Sequence, residues 1–175
     1  MAVDAYLQIA GVEGESTAAG HEGWIDLQEF HAPGGAHGAF ELADWSFSVE
    51  NPTTIGSATG GAGAGKASFS EFTVTKTTDK SSTAFLLHAA NGASFPTATI
   101  HLVKRGGGGG GKAGAPFLVF RFQTVFTTKV QWSDGGDGGP EEEISFVYGS
   151  IEVQYTAQDG STSDFTWDVA RNRVP

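Results

Sequence analysis

The sequence predicts a mainly β fold, a β-barrel of two packed antiparallel sheets with one short α-helix. The leading observation is the segment Leu118–Trp132, in which apolar and threonine side chains at even positions alternate with largely polar ones at odd positions. A period of two is typical of a strand with one buried face, and a strand of this length requires a large sheet. Slips of the alternation near Ser70–Glu71 and Gly149–Ser150 predict β-bulges, which let strands bend into a barrel.

The other elements follow from shorter alternating segments and from turn residues. Strands are predicted at Val3–Ile9, Trp24–Phe30, Trp45–Val49, Lys66–Lys76, Thr97–Lys104, Leu118–Trp132, Ile144–Tyr155 and Phe165–Val169. One helix is predicted at Lys80–Asn91, where Asp79 or Ser81 can cap the first turn and Gly92 can take the left-handed conformation after the last. The glycine run Gly106–Gly111 predicts a flexible hairpin connection.

Composition narrows the function classes. The 175 residues suit a single domain over residues 1–175, and 39% hydrophobic residues suffice for a core. A net charge of −10 argues against nucleic-acid and anionic-membrane partners, which need a basic surface. No cysteine is available for disulfides or thiolate chemistry. The first residues lack a basic and apolar leader, and no apolar run approaches the length of a membrane span, so neither a signal peptide nor membrane insertion is expected.

Motifs that carry chemistry are incomplete. The segment Gly60–Ala67 has the glycine and lysine spacing of a phosphate-binding loop, but alanine replaces the magnesium-binding hydroxyl and a β pattern follows where a helix is needed. Asp134, Asp137 and Glu141–Glu143 are acidic, yet they lack the ladder of a calcium loop and favour a charged hairpin connection. Gly14–Ala18 misses the nucleophile-elbow pattern by its last residue.

Histidine spacing likewise gives no metal motif. The five histidines are His21, His31, His37, His88 and His101. None has the spacing of a zinc motif, although a zinc site assembled from distant loops stays an alternative. We therefore predict no catalytic residue, no cofactor and no metal, and interpret the chain as a binding or building unit.

Several segments, in order, resemble the haemolysin-coregulated protein (Hcp) family, the tube proteins of type VI secretion systems. The resemblance is carried by Met1–Ser16, His21 with Ile25–Asp26, Trp45–Phe47, Gly63–Ala67, Phe72–Lys76, Asp79–Ser81, Gly92, Pro96–Ala98, Trp167–Val169 and Arg171–Asn172. No single motif is specific, but their order over nearly the whole chain is. The sequence departs from the family pattern at an insertion, Gln28–Asp44, which can add a hairpin, and at the glycine run.

The resemblance implies a β-barrel flanked by a short helix. It also implies a homo-hexameric ring that stacks into a tube, with sheath, spike and effector proteins as partners and effectors held in the lumen. The protein would reside in the bacterial cytoplasm before firing and leave through the machine without a signal peptide. Ser46 becomes the candidate lumen position. The ring-stacking candidates lie in the loop that follows it, namely Asn51, Thr53, Ile55, Gly60 and Gly65.

The long strand supplies candidates for the subunit interface. Its second face is predicted to carry a mixture of apolar and charged side chains, Phe117, Val119, Arg121, Val125 and Lys129. Such mixed faces suit contacts between subunits, and a head-to-tail contact that closes gives a ring. Two alternatives stay open: a monomeric β-barrel that carries a small ligand inside, and an enzyme that uses the Gly60–Lys66 loop on nucleotides.

Overall fold

The computed structural model describes residues 3–27, 29–30, 42–43, 45–46, 48–52, 66–104, 114–134 and 139–175. Within these ranges lie twelve strands and one helix. The elements are β1 (Val3–Ile9), β2 (Ile25–Leu27), β3 (Glu29–Phe30), β4 (Leu42–Ala43), β5 (Trp45–Ser46), β6 (Val49–Glu50), β7 (Ser68–Phe69), β8 (Phe72–Thr77), α1 (Ser82–Asn91), β9 (Ser94–Lys104), β10 (Pro116–Asp134), β11 (Pro140–Thr156) and β12 (Thr162–Asp168).

Eight of the strands form one antiparallel sheet in the order β2-β1-β9-β10-β11-β8-β5, with β12 also paired to β11. The first half of β11, residues 141–146, pairs with β8, and its second half, residues 150–156, pairs with β12. Although β2 and β8 lie far apart in this order, they contact each other. The sheet therefore curls around a single core, and the predicted mainly β fold with one short helix is confirmed. The two packed layers are parts of this one curled sheet, and the long strands run from one layer into the other.

An aromatic cluster fills the centre of this core. Phe72 on β8 has no exposed surface, and its ring centroid lies 4.9 Å from that of Phe122 and 5.4 Å from that of Phe146. Phe120 and Tyr148 pack on the same group. Burial raises the pKa of the Tyr148 hydroxyl, which donates to the backbone oxygen of Ser70. Edge-to-face and stacked rings of this kind contribute beyond the area that they bury.

The two longest strands, β10 and β11, each change the face that they bury at the same height in the sheet. On β10 the buried side chains on the core face are Phe120 and Phe122 before that level, and the buried positions after it are Val125 and Thr127. Thr124, between the two sets, has a left-handed backbone with φ of 55°. A single left-handed residue shifts the alternation of side chains by one position, so the predicted alternation is wrong from Thr124 to Thr128. After the register shift between Thr127 and Lys129 the predicted phase returns, and Val130 packs against the core.

β11 makes the same change opposite Thr124. Its buried positions switch phase between Tyr148 and Ile151, across Gly149. The pairing register is the same on both sides of this point, with Gln123 opposite Ser150 and Val125 opposite Tyr148. The bulge predicted at Gly149–Ser150 is therefore corrected: both strands kink together there, and the register shift lies between Thr127 and Lys129.

Three predicted strands are each divided between sheets. The region near Ser70–Glu71 separates β7 from β8, because the Ser70 hydroxyl and N–H both bond to the backbone of Ser48. Trp45–Val49 becomes β5 on the main sheet and β6 paired with β7. Trp24–Phe30 becomes β2 and β3, and β3 pairs with β4 inside the insertion. The hairpin expected for that insertion is thus confirmed by the pairing of β3 with β4.

The helix α1 begins at Ser82, two residues later than predicted, and ends as predicted at Asn91, followed by Gly92 in the left-handed conformation with φ of 70°. Its Phe85 packs into the core against Phe95, with ring centroids 5.8 Å apart. Among the described helical residues, no segment is both long and apolar enough to cross a membrane. The Gly106–Gly111 connection lies outside the described residues.

The kink at Thr124 gives a first prediction. Thr124→Gly is expected to raise the free energy of unfolding by about 0.5–1 kcal/mol, because a β-branched residue in the left-handed region is strained and glycine is not. Gln123→Gly, at an exposed neighbour without a positive φ, should lower it by about 0.5–1 kcal/mol. Urea unfolding followed by circular dichroism measures both. Equal losses in the two variants would show that Thr124 carries no strain.

Candidate functional site

Two predicted interface residues lie on the outer face of β10, and each contacts a glutamate on β11. The Nη1 atom of Arg121 is 2.5 Å from Oε1 of Glu152, and Nζ of Lys129 is 2.6 Å from Oε1 of Glu143. All four side chains are roughly half exposed. Exposed cross-strand pairs add little to stability, so this charged face is available to recognise another surface.

The three apolar interface candidates are placed differently. Val125 is only 1% exposed and lies in the core, because the kink at Thr124 turns it away from the outer face. Its grouping with Arg121 and Lys129 is therefore wrong. Val119 is 5% exposed and pairs with His101 on β9. Phe117 is half-buried, and Nζ of Lys104 lies 5.2 Å from the centroid of its ring. Of the predicted set, Arg121 and Lys129 offer the most surface.

Of the lumen and stacking candidates, Ser46 and Asn51 lie within the described residues. Ser46 lies on β5, the last strand of the main order, with its backbone opposite Thr73. Asn51 is exposed just after β6. Thr53, Ile55, Gly60 and Gly65 lie outside the described residues.

A buried ion pair connects the start of β11 to β8 and to the helix α1. Lys76 on β8 and Glu142 on β11 are both 0% exposed, with Nζ and Oε2 3.1 Å apart. The ammonium also lies 2.9 Å from Oδ1 of Asp79 and donates to Oγ of Ser82 at the start of α1. The indole N–H of Trp132 donates to the second oxygen of Glu142.

The Glu142 carboxyl stays charged in this site. Burial alone raises its pKa, but hydrogen bonds from Ser82, Trp132 and Lys76, together with the lysine charge, outweigh burial and hold the pKa below its ordinary value. Each charge therefore depends on the other for its solvation. The network is structural: it ties β8, β11 and α1 together.

A second polar cluster lies outside the core, where sequence spacing gave no signal. His21, in the connection between β1 and β2, is 4% exposed and its Nε2 is 3.0 Å from Nδ1 of His101 on β9. The ring of Tyr6 stacks on His21 with centroids 4.3 Å apart, and Trp24 contacts both imidazoles. The two histidines are 80 positions apart, so only the pairing of β1 with β9, which puts His101 opposite Tyr6, brings them together.

The β1–β2 connection, residues 10–24, folds back on itself to hold His21 there. The N–H of Gly14 donates to the oxygen of Gly23 at 2.8 Å, and the N–H of Ser16 donates to the oxygen of Trp24 at 2.9 Å. Ser16 is buried in this turn and is not presented as a nucleophile. The connection also contacts α1, because Oε1 of Glu13 lies 3.0 Å from Nζ of Lys80 just before the helix.

The close approach at Gly14 gives a second prediction. A Cβ atom there would lie 2.1 Å from the backbone oxygen of Trp24. Gly14→Ala should therefore displace the connection and lower the free energy of unfolding by about 1–3 kcal/mol. Gly11→Ala is the matched comparison for a glycine with open space around it, where only the positive φ is strained. Thermal unfolding of both variants tests this; an unchanged midpoint for Gly14→Ala would contradict it.

The structure does not bring together the residues of the acidic, phosphate-loop and histidine motifs considered in the sequence. Glu142 and Glu143 lie on opposite faces of β11, and each contacts a lysine. Lys66 is exposed and leads into β7, as the β pattern predicts. Across the described ranges no group of three or more histidine, cysteine or acidic side chains could hold a metal ion. Asp137, His31 and His37 lie outside the described residues.

Comparison with known proteins identifies the chain. The family described as "Type VI secretion system effector, Hcp" matches residues 6–155. The chain belongs to the Hcp family. Protein hcp1 of Pseudomonas aeruginosa is 26% identical over 116 residues, which cover 61% of this chain and 68% of the relative.

Solved structures of Hcp proteins share the fold. A structure described as a type six secretion system protein has a TM-score of 0.75 at 27% identity and covers 97% of this chain and 98% of its own. Hcp1 from Salmonella typhimurium has a TM-score of 0.74 at 20% identity, covering 99% of both chains. This Hcp chain is thus a tube protein of the type VI secretion system, as the resemblance implied.

Proposed function

We propose that this Hcp chain is a structural subunit that closes into a hexameric ring, and that rings stack into a tube expelled through the type VI machine. The observation that carries the proposal is the family match over residues 6–155. The aromatic core around Phe72 supports a solid building unit over the alternative of a monomeric carrier, which needs an internal cavity. A tube subunit also needs no reaction, so we propose that it is not an enzyme.

Two surfaces are suited to a head-to-tail contact. One is the charged outer face with Arg121 and Lys129. The other is the apolar face beside β12, where Tyr155 and Phe165 are 44% and 43% exposed although they continue the core face of Ile151. Within the described sheet β12 pairs only with β11, so one of its edges faces outward. Apolar rings at an open edge are costly to leave in water and favour coverage by a neighbour.

The mass in solution tests the ring. Light scattering should give about six times the 18.2 kDa chain mass, as expected for a closed heterologous contact. Negative-stain images should show rings with a central hole. A strict monomer at high concentration would contradict the proposal and favour the carrier.

A substitution at the apolar edge gives a third prediction. Phe165→Glu is expected to raise the dissociation constant of the assembly at least tenfold, because a carboxylate would be buried in the contact. The assembly should then shift to smaller species. Leu87→Glu, at an exposed apolar position on α1, is the matched control and should keep the assembled mass. Circular dichroism confirms that both variants are folded. If Phe165→Glu stays fully assembled, this edge lies outside the subunit contact.

The remaining roles follow from the tube. We propose that Ser46 faces the lumen, where effectors are held, and that Asn51, Thr53, Ile55, Gly60 and Gly65 contact the next ring. Sheath and spike proteins are the other proposed partners. The chain would reside in the bacterial cytoplasm until the machine expels it, without use of a signal peptide. A net charge of −10 supports the exclusion of nucleic acid from this list.

A further inference from the structure

The contact between His21 and His101 depends on their protonation. A distance of 3.0 Å between Nε2 of His21 and Nδ1 of His101 is a hydrogen bond in which one nitrogen donates and the other accepts. When both rings are protonated, every ring nitrogen is a donor, so no acceptor remains. Two positive charges would then face each other at the same short distance. The observed geometry therefore belongs to a pair that holds at most one extra proton.

The environment disfavours that second charge. Burial lowers the pKa of His21. This effect outweighs the hydrogen bond with the Ala19 backbone and the charges of Glu22 and Asp26, which raise the pKa. Burial, then the charges of His21 and Arg121, lower the pKa of His101 to about 4. The titratable and charged groups around the pair are Asp4 and Tyr6 on β1, Asp26 on β2, Glu22 in the connection, and Arg121 on β10, whose partner is Glu152 on β11.

The pair is also the connection's main anchor on the sheet. His21 and Trp24 are its two aromatic side chains against Tyr6 and His101. The start of the connection is also attached, because the N–H of Ala10 donates to the oxygen of Thr97 on β9 and Val12 packs against the core. At α1, Glu13 contacts an exposed Lys80 and Glu15 accepts from the N–H of the same residue. Exposed ion pairs are weak, so loss of the imidazole contact leaves little to hold residues 13–24 on the sheet.

We propose that the His21–His101 pair is a pH-sensitive latch, which docks the β1–β2 connection on the sheet at neutral pH and releases it in acid. The latch acts within one chain and does not depend on ring formation. Both imidazoles have a pKa lower in the docked state than the ordinary 6.5. Docking is therefore fully favoured above pH 6.5, weakens as the pH falls, and is lost as the pH passes through about 4.

Hydrogen exchange of the full chain tests the latch. The amides of Gly14, Ser16 and Gly23, which are bonded inside the connection, report its opening. From pH 7 to pH 4 their protection, corrected for the intrinsic exchange rate, should fall by roughly 10- to 100-fold. Protection of core amides at Ile100 and Phe122 should change much less. Uniform loss at all sites, or no loss in the connection, would overturn the proposal.

A matched pair of variants separates the latch from general acid sensitivity. His101→Gln keeps an acceptor for His21 but cannot be charged, so its connection should lose at most about threefold protection over the same range. His88→Gln removes a histidine on α1 whose Nδ1 contacts the backbone oxygen of Ala84 and takes no part in the latch, so this variant should behave like the unchanged chain. If His101→Gln and His88→Gln respond equally to acid, the latch is refuted. Should His101→Gln fold poorly, NMR titration of the imidazoles decides, because a pKa of 6.5 or more for both rings refutes it too.

Discussion

Lys76→Met is expected to lower the free energy of unfolding by about 3–5 kcal/mol, the typical cost of leaving a buried charge without its partner. Methionine matches the lysine stem in length but removes the ammonium, and Glu142 is then a carboxylate at 0% exposure with only Ser82 and Trp132 to solvate it. The loss should act mainly where β8, β11 and α1 meet. Urea unfolding measures it, at one fixed chain concentration because assembly also stabilises the folded state.

The control for this prediction is Lys129→Met in the same hairpin. Its pair with Glu143 is roughly half exposed, so the same chemical change should cost at most about 1 kcal/mol. Replacing both buried partners, Lys76→Met with Glu142→Leu, should recover most of the loss, since neither variant side chain carries a charge. If the single and double substitutions cost the same, the buried charge is not the cause.

Phe72→Ala is expected to cost about 3–5 kcal/mol, because it opens a cavity at the centre of the aromatic cluster. The ring of Phe72 contacts Phe120 and Phe122 on β10 and Phe146 on β11, so the strands on both sides of the core lose a shared partner. Phe126→Ala removes the same ring from a position 39% exposed and should cost much less. Similar midpoints in denaturant for the two variants would contradict this account.

The elements that could be predicted are those whose signals are local. The alternation of Val3, Ala5, Leu7 and Ile9 gives β1 at its observed bounds, since it depends only on burial of one face. Gly92 marks the end of α1 because the left-handed residue after a helix is commonly glycine. Family resemblance, carried by many weak motifs in order, gave the fold and the type VI role that the comparisons confirm.

What could not be predicted depends on residues far apart in the chain. Thr124 adopts a left-handed backbone although its type argues against it, and so Val125 joins the core instead of the outer face. The latch needs His21 and His101, and the buried pair needs Lys76 and Glu142; each is assembled by strand pairing across long separations. Neither pair has a spacing motif that could reveal it.

The pairing of β11 with two different neighbours also sets an order for the steps of folding. Residues 141–146 can pair with β8, which is synthesised earlier, as soon as they emerge. Residues 150–156 must wait for β12, which follows them in the chain, and until it docks their edge is open with Tyr155 beside it. An open strand edge invites pairing with another chain, so folding subunits are most prone to aggregate in the interval before β12 docks.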